Sequence, residues 1–150
     1  MTRQLADVNV LFALIWRRHE HHSAAHAWFE KSGRHAWASN PLTQLCVLRL
    51  LTNPAVTQGT VNAASAVKAL SEAASHPGHE FWPLNRQMAE AMKAVAGRIR
   101  GHRQWADAVL LSQAAERNGN LVTFDSGLKQ LATGDWKGRV VLLRAGAPQL

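Results

Sequence analysis

Two short apolar runs in this chain each end on an aspartate, Gln4 to Ala6 before Asp7 and Leu121 to Phe124 before Asp125, and residues with helical spacing follow both. The same alternation recurs between them. VNVLFALIW continues from Asp7 as an apolar helix, and Ala24, Ala25, Trp28 and Phe29 form a stripe on a second helix over Ser23 to Glu30. His35 to Ala38 is the next strand. Asn40-Pro41 opens a helix that runs to about Thr52, because Asn caps and Pro tolerates the first turn, and Asn53-Pro54 stops it. Val61 to Ser75 is Ala-rich and amphipathic, EFWPL is strand-like after Pro77-Gly78, and a helix is expected over Gln87 to Ala96. Gln104 to Asn118 has helical spacing and Gly119 closes it; Ser126 to Leu131 is a short helical piece and Arg139 to Leu143 a last apolar strand. Strands separated in this way by helices pair in parallel, since the crossovers carry the helices onto the faces of the sheet. The expected class is α/β, with a mainly parallel central sheet flanked by helices.

Length and composition suit one domain over residues 1–150: 47% of residues are hydrophobic and 18% charged. No apolar run reaches the length of a membrane span and MTRQLADVNV lacks the pattern of a signal peptide, so a cytoplasmic protein without membrane contact is expected. The single cysteine, Cys46, excludes an internal disulfide and sits in LCVLRLL, where a buried, inert thiol is expected. Lys and Arg total 17 against 10 Asp and Glu, a net charge of +7, which favours a polyanionic or acidic partner without choosing between them.

Against that basic balance, three acids stand in apolar surroundings. In open parallel sheets, sites form beyond the carboxyl ends of the strands, where Asp7 and Asp125 are expected; Asp107 lies in the first turn of the Gln104 to Asn118 helix. Clustered carboxylates repel one another but become favourable around a hard divalent cation, for which magnesium or manganese fits best. A cation so held polarises a phosphodiester and activates water for attack on phosphorus, so phosphodiester hydrolysis is the reaction class. Taken singly, an Asp in a helix's first turn also satisfies the helix dipole, and an Asp after a strand is an ordinary turn residue.

The segments around the three acids add to the argument. LADVNVLFAL, SNPLTQLCVLRLLTNP, WADAVLLSQAAERNGNLVTFD and RVVLL occur in that order and together span nearly the whole chain. In this they resemble the PIN-domain family, in particular the VapC-type toxins. The resemblance implies a Rossmann-like three-layer sandwich and a magnesium-dependent endoribonuclease, with manganese able to substitute. It implies an RNA substrate, a VapB-type antitoxin as protein partner and a homodimer. Position by position it assigns a metal site to Asp7, Asp107 and Asp125, adds Gln44 and Thr123 to the catalytic set, and places Asn9 and Thr43 in the same pocket. Gln44 stands where many relatives have Glu; a neutral amide accepts a hydrogen bond from a metal-bound water but adds no charge. Two other functions compete: a PIN-like nuclease acting on DNA, and a catalytically weakened module that binds RNA or protein.

Other features carry less. The basic segment of Arg98, Arg100, His102 and Arg103 precedes Asp107 and could set guanidinium groups on phosphates entering the site, or it could be a solvated loop. Arg49 either reaches the pocket or covers the core. His22 and His26 have the i,i+4 spacing of a zinc chelate, though capping or packing is expected of them. Trp28, Phe29 and Trp105 fall near apolar stripes, where core packing is expected over base stacking.

Overall fold

The computed structural model describes residues 2–144. Strands β1 (Gln4–Ala6), β2 (Trp37–Ser39), β3 (His79–Phe81), β4 (Asn120–Thr123) and β5 (Val140–Leu142) form one sheet in the order β3-β2-β1-β4-β5. Every neighbouring pair is parallel, with Leu5 opposite Ala38 on one side and Leu121 on the other. Eight helices connect them: α1 (Val8–Ile15), α2 (His22–Lys31), α3 (Pro41–Leu51), α4 (Pro54–Thr57), α5 (Ala63–Ala74), α6 (Met88–Met92), α7 (Gln104–Glu116) and α8 (Leu128–Leu131). Among the described residues, no helix is long and apolar enough to cross a membrane.

Because strand side chains alternate, each strand feeds both faces. Leu5, Ala38 and Leu121 pack with Trp82, Trp136 and the apolar positions of α7; Ala6, Trp37 and Val122 pack with α1, α3 and Trp28 of α2. The result is a three-layer α/β sandwich with a hydrophobic core on either side of the sheet. Trp37, Trp82 and Trp136 are almost wholly enclosed in it, each such side chain contributing roughly 1.5–3 kcal/mol or more of burial free energy. At the end of α7 the left-handed residue is Asn118 (φ 56), and Gly119 is needed for a different reason: a Cβ there would meet the Arg3 carbonyl oxygen at 2.7 Å.

Caps set several helix starts. Asn40 and Thr43 form a reciprocal capping box with Pro41 in the first turn of α3, and the Asn62 side chain caps α5. Differences from the sequence reading have local causes. Gly33–His35 forms a 3₁₀ turn, so the second strand starts at Trp37 rather than His35. Trp82 still donates to the Ser39 carbonyl, but Pro83 has no N–H, and the third strand ends at Phe81 rather than extending through EFWPL. Asn53-Pro54, expected only to stop α3, also caps and opens α4. The helix expected over Gln87 to Ala96 is cut to the five residues of α6, followed by a 3₁₀ turn at Ala96–Arg98.

The chain leaves β1 towards β2 on one side of the sheet, while β4 lies on its other side and leads to β5. This reversal opens a crevice beyond the carboxyl ends of β1 and β4, the position where ligands bind in open α/β sheets.

Candidate active site

Asp7, Asn9, Asp107 and Asp125 border one cavity of about 450 Å³ at that crevice, and among the described residues neither lysine nor arginine lines it. Asp7 follows β1 directly and caps α1: its Oδ1 accepts the Val8 N–H at 2.7 Å, and its own N–H donates to the Val122 carbonyl of β4. Asp7 is 7% exposed. Thr123, the last residue of β4, is the hub. Its hydroxyl donates to Asp7 Oδ2 at 2.6 Å and accepts from Asn9 Nδ2 at 3.3 Å and from the Asp125 N–H at 3.0 Å, which fills its one donor and two acceptor positions. Asn9 Oδ1 accepts the Phe124 N–H, tying α1 to the segment after β4. Asp125 Oδ1 accepts the Gly127 N–H at 2.8 Å in a tight turn that leaves this carboxylate at the surface.

Asp107 comes from the first turn of α7, half-buried, with no hydrogen bond to its carboxylate among the described residues. Burial first, and the nearby charges of Asp7 and Asp125 after it, push its pKa up from 3.8 to about 6. Burial also raises Asp7 above the usual carboxylate range, opposed by its bonds from Thr123 and Val8 and reinforced by Asp125. Three mutually repelling carboxylates at a cavity without a balancing cationic side chain fit a hard divalent cation. Among the described residues no three Asp, Glu, His or Cys side chains close tightly enough to enclose an ion by themselves. Asp7, Asp107 and Asp125 are the residues that would hold a divalent cation at this cavity.

Other residues singled out from the sequence lie elsewhere. Gln44 is turned to Ser39, its Nε2 donating to the Ser39 hydroxyl at 3.0 Å, and that hydroxyl bonds His79 Nε2 at 2.7 Å. It does not line the cavity. Thr43 is fully buried and spends its hydroxyl on the Asn40 backbone as half of the α3 capping box, so it too stands behind the pocket wall. Arg49 is exposed on α3 and outside the cavity, because the face of that helix turned to the site carries Leu42, Cys46 and Leu50. Arg98 is drawn away to the far end of the chain, pairing with Asp135 at 3.1 Å and stacking 4.6 Å over the Trp136 ring. Arg100 and Arg103 are exposed near the start of α7 and do not reach the cavity.

Three features run against the sequence reading. Cys46 is only partly buried and faces the acidic cavity. Trp105 is 43% exposed rather than packed in the core, whereas Trp28 is buried and Phe29 partly so. His19 also lines the cavity that Asp7 and Asp107 border, a placement made by the fold. His22 is occupied through Nδ1 with the Ala13 carbonyl at 2.7 Å, and its ring centre lies 5.9 Å from that of His26.

A parallel α/β sandwich with carboxylates gathered at its switch point is the arrangement of the PIN domain, and the family profile for that domain matches residues 5–134. The chain belongs to the PIN domain family. Among curated proteins it is similar to three from Mycobacterium tuberculosis. It is 36% identical to Ribonuclease VapC39 over 129 residues, covering 86% of this chain and 93% of that protein. It is 37% identical to Ribonuclease VapC38 over 139 residues, 93% of this chain and 96% of that protein. With Ribonuclease VapC29 it shares 39% identity over 127 residues, 85% of this chain and 89% of that protein.

Proposed function

We propose that this protein is a divalent-cation-dependent endoribonuclease, the toxin of a VapBC-type toxin-antitoxin pair, acting with magnesium and accepting manganese in its place. One observation carries the reading: Asp7, Asp107 and Asp125 converge on one cavity at the switch point of the sheet, with no lysine or arginine lining it among the described residues. The similarity to proteins named Ribonuclease VapC supports RNA as the substrate, and the VapB-type antitoxin and homodimer follow by the same analogy.

Asp7, Asp107 and Asp125 would hold the cation, which when bound supplies positive charge against the phosphodiester and acidifies coordinated water. Thr123 holds the Asp7 carboxylate in one orientation and spaces Asp125 from it through the backbone. Asn9 fixes the start of α1 to the end of β4, so that Asp7 and Asp125 move as one unit. Asp107 approaches from the separate support of α7 and completes the anionic set.

Incubating purified, antitoxin-free protein with total cellular RNA in magnesium or manganese tests this, with EDTA, Asp7→Asn and matched DNA as controls. Discrete RNA products that vanish in EDTA and in the variant are expected. Cleavage of DNA alone would transfer the activity to the other nucleic acid. RNA binding without cleavage would make the chain a binding module, and the neutral Gln44 would then acquire a meaning.

A further inference from the structure

The turn between α1 and α2 brings His19 to the rim of the acidic cavity, and the hydrogen bonds around it specify what the ring offers. His19 Nδ1 accepts the backbone N–H of His21 at 3.0 Å. With that bond made, Nδ1 is the unprotonated nitrogen and Nε2 carries the hydrogen, a tautomer assigned from the network. Among the described residues no hydrogen bond reaches Nε2. Packing holds the ring in place: it stands edge-on to Phe12 (centroids 5.2 Å apart, planes at 83°), and Phe12 is 4% exposed. It also lies 5.5 Å from the His21 ring, which stacks at 4.9 Å on Phe124, the residue before Asp125. The turn is thus packed against α1 through Phe12 and against Phe124, the residue that follows β4. Next to His19, Arg17 and Arg18 are exposed and form no ion pair among the described residues; Arg17 lines a separate cavity with His22 and His26, and Glu20 is exposed on the same turn.

We propose that His19 is a substrate-contacting residue, its Nε2–H donating a hydrogen bond to a non-bridging oxygen of the phosphodiester that enters the acidic cavity. The proposal rests on the ribonuclease reading above. A cavity walled by carboxylates contains few donors of its own for a phosphate, and a neutral imidazole N–H on its lining supplies one without competing with the acids for a cation.

The test compares wild type, His19→Ala and His19→Gln on a defined single-stranded RNA oligonucleotide in Mn²⁺. A Gln amide carries a donor close to the position of Nε2. One lost hydrogen bond to a charged oxygen predicts a fall of about 10- to 100-fold in kcat/KM for His19→Ala, with much of it recovered in His19→Gln. Mn²⁺ affinity by calorimetry is expected to be unchanged in both, and ¹⁵N spectra of the wild-type histidine ring to show the Nε2–H form. Cleavage by His19→Ala at the wild-type rate overturns the proposal, as does equal damage in both variants or a loss of Mn²⁺ affinity with His19→Ala. If wild type cleaves no RNA, the ribonuclease reading fails, and fluorescence anisotropy of the same labelled oligonucleotide in Ca²⁺ decides for His19. Weaker binding by His19→Ala retains the contact; equal binding removes it.

Discussion

Asp7 and Asp107 face one cavity from very different supports. The Asp7 carboxylate receives the Thr123 hydroxyl and the Val8 N–H, each bond to a charged acceptor contributing about 1.5–3 kcal/mol, and the Thr123 hydroxyl is itself filled by Asn9 and the Asp125 backbone. Asp107 stands on α7 with no such partner, half-buried, close enough to the other acids to feel their charge. Hydrogen bonds offset part of the cost of burying Asp7, whose carboxyl is still held above its usual range, whereas the Asp107 carboxylate receives none among the described residues. An unsatisfied acid in that place is what a site built around a cation requires, since the missing interaction is supplied by the ligand rather than by the protein.

The largest effect that can break this comparison is on activity. Asp7→Asn and Asp107→Asn are each expected to lower RNA cleavage by more than about 100-fold, and the double variant to be little worse than either, because residues acting on one cation do not contribute independently. Additive losses in a kinetic comparison of the three would show that the carboxylates serve separate purposes. Thr123→Val comes next. It keeps the shape but removes the donor to Asp7 and the acceptor for two N–H groups, costing roughly 1–3 kcal/mol in urea unfolding, while Thr123→Ser stays near wild type.

The contrast sharpens with pH. A carboxyl whose pKa is higher folded than unfolded holds more protons in the folded state, so stability falls as pH rises between the two values and the loss is complete above the higher one. For Asp107 that window runs from 3.8 to about 6. In EDTA, Asp107→Asn is therefore expected to melt higher than wild type above the window by roughly 3–6 °C, with the gap closing as pH falls through it, and Mg²⁺ to narrow the gap at neutral pH. Calorimetric melts across the window check this, and a gap that ignores pH would contradict it. Smaller still is Gln44→Glu: with the side chain turned to Ser39, the new charge is expected to raise Mn²⁺ affinity less than about fivefold. Replacing Arg100 and Arg103 together by Ala should change kcat/KM less than about threefold, and less again at high salt, because both are exposed and away from the cavity.

Much of this arrangement was legible from local pattern. Strand-then-Asp at residues 4–7 and 121–125, and Asp107 at a helix start, follow from periodicity and turn chemistry over a few neighbours, and the parallel sheet follows from their alternation. What could not be read depends on partners distant in sequence. Arg98 looked available because Asp135 and Trp136, which hold it, come from another part of the chain. Gln44 entered the catalytic set through the resemblance alone, and its amide is taken up by the Ser39 hydroxyl, which also bonds His79 from β3. His19 sits in a four-residue run whose composition suggests a metal motif, whereas its role follows from one backbone bond and the ring of Phe12. Trp105 and Cys46 show the same limit from the other direction: apolar spacing marks a stripe on a helix but not which parts of the stripe the neighbouring helices cover.

Calorimetric titration of Mn²⁺ into metal-free wild type and Asp107→Asn at neutral pH asks whether the three carboxylates share one cation. The account predicts saturable binding to the wild type and at least about tenfold weaker binding to the variant, since one of three carboxylates has been neutralised. Equal affinity in the two proteins, or no binding to wild type at millimolar Mn²⁺, would contradict it and leave the unsatisfied acid on α7 without the ligand that explains it.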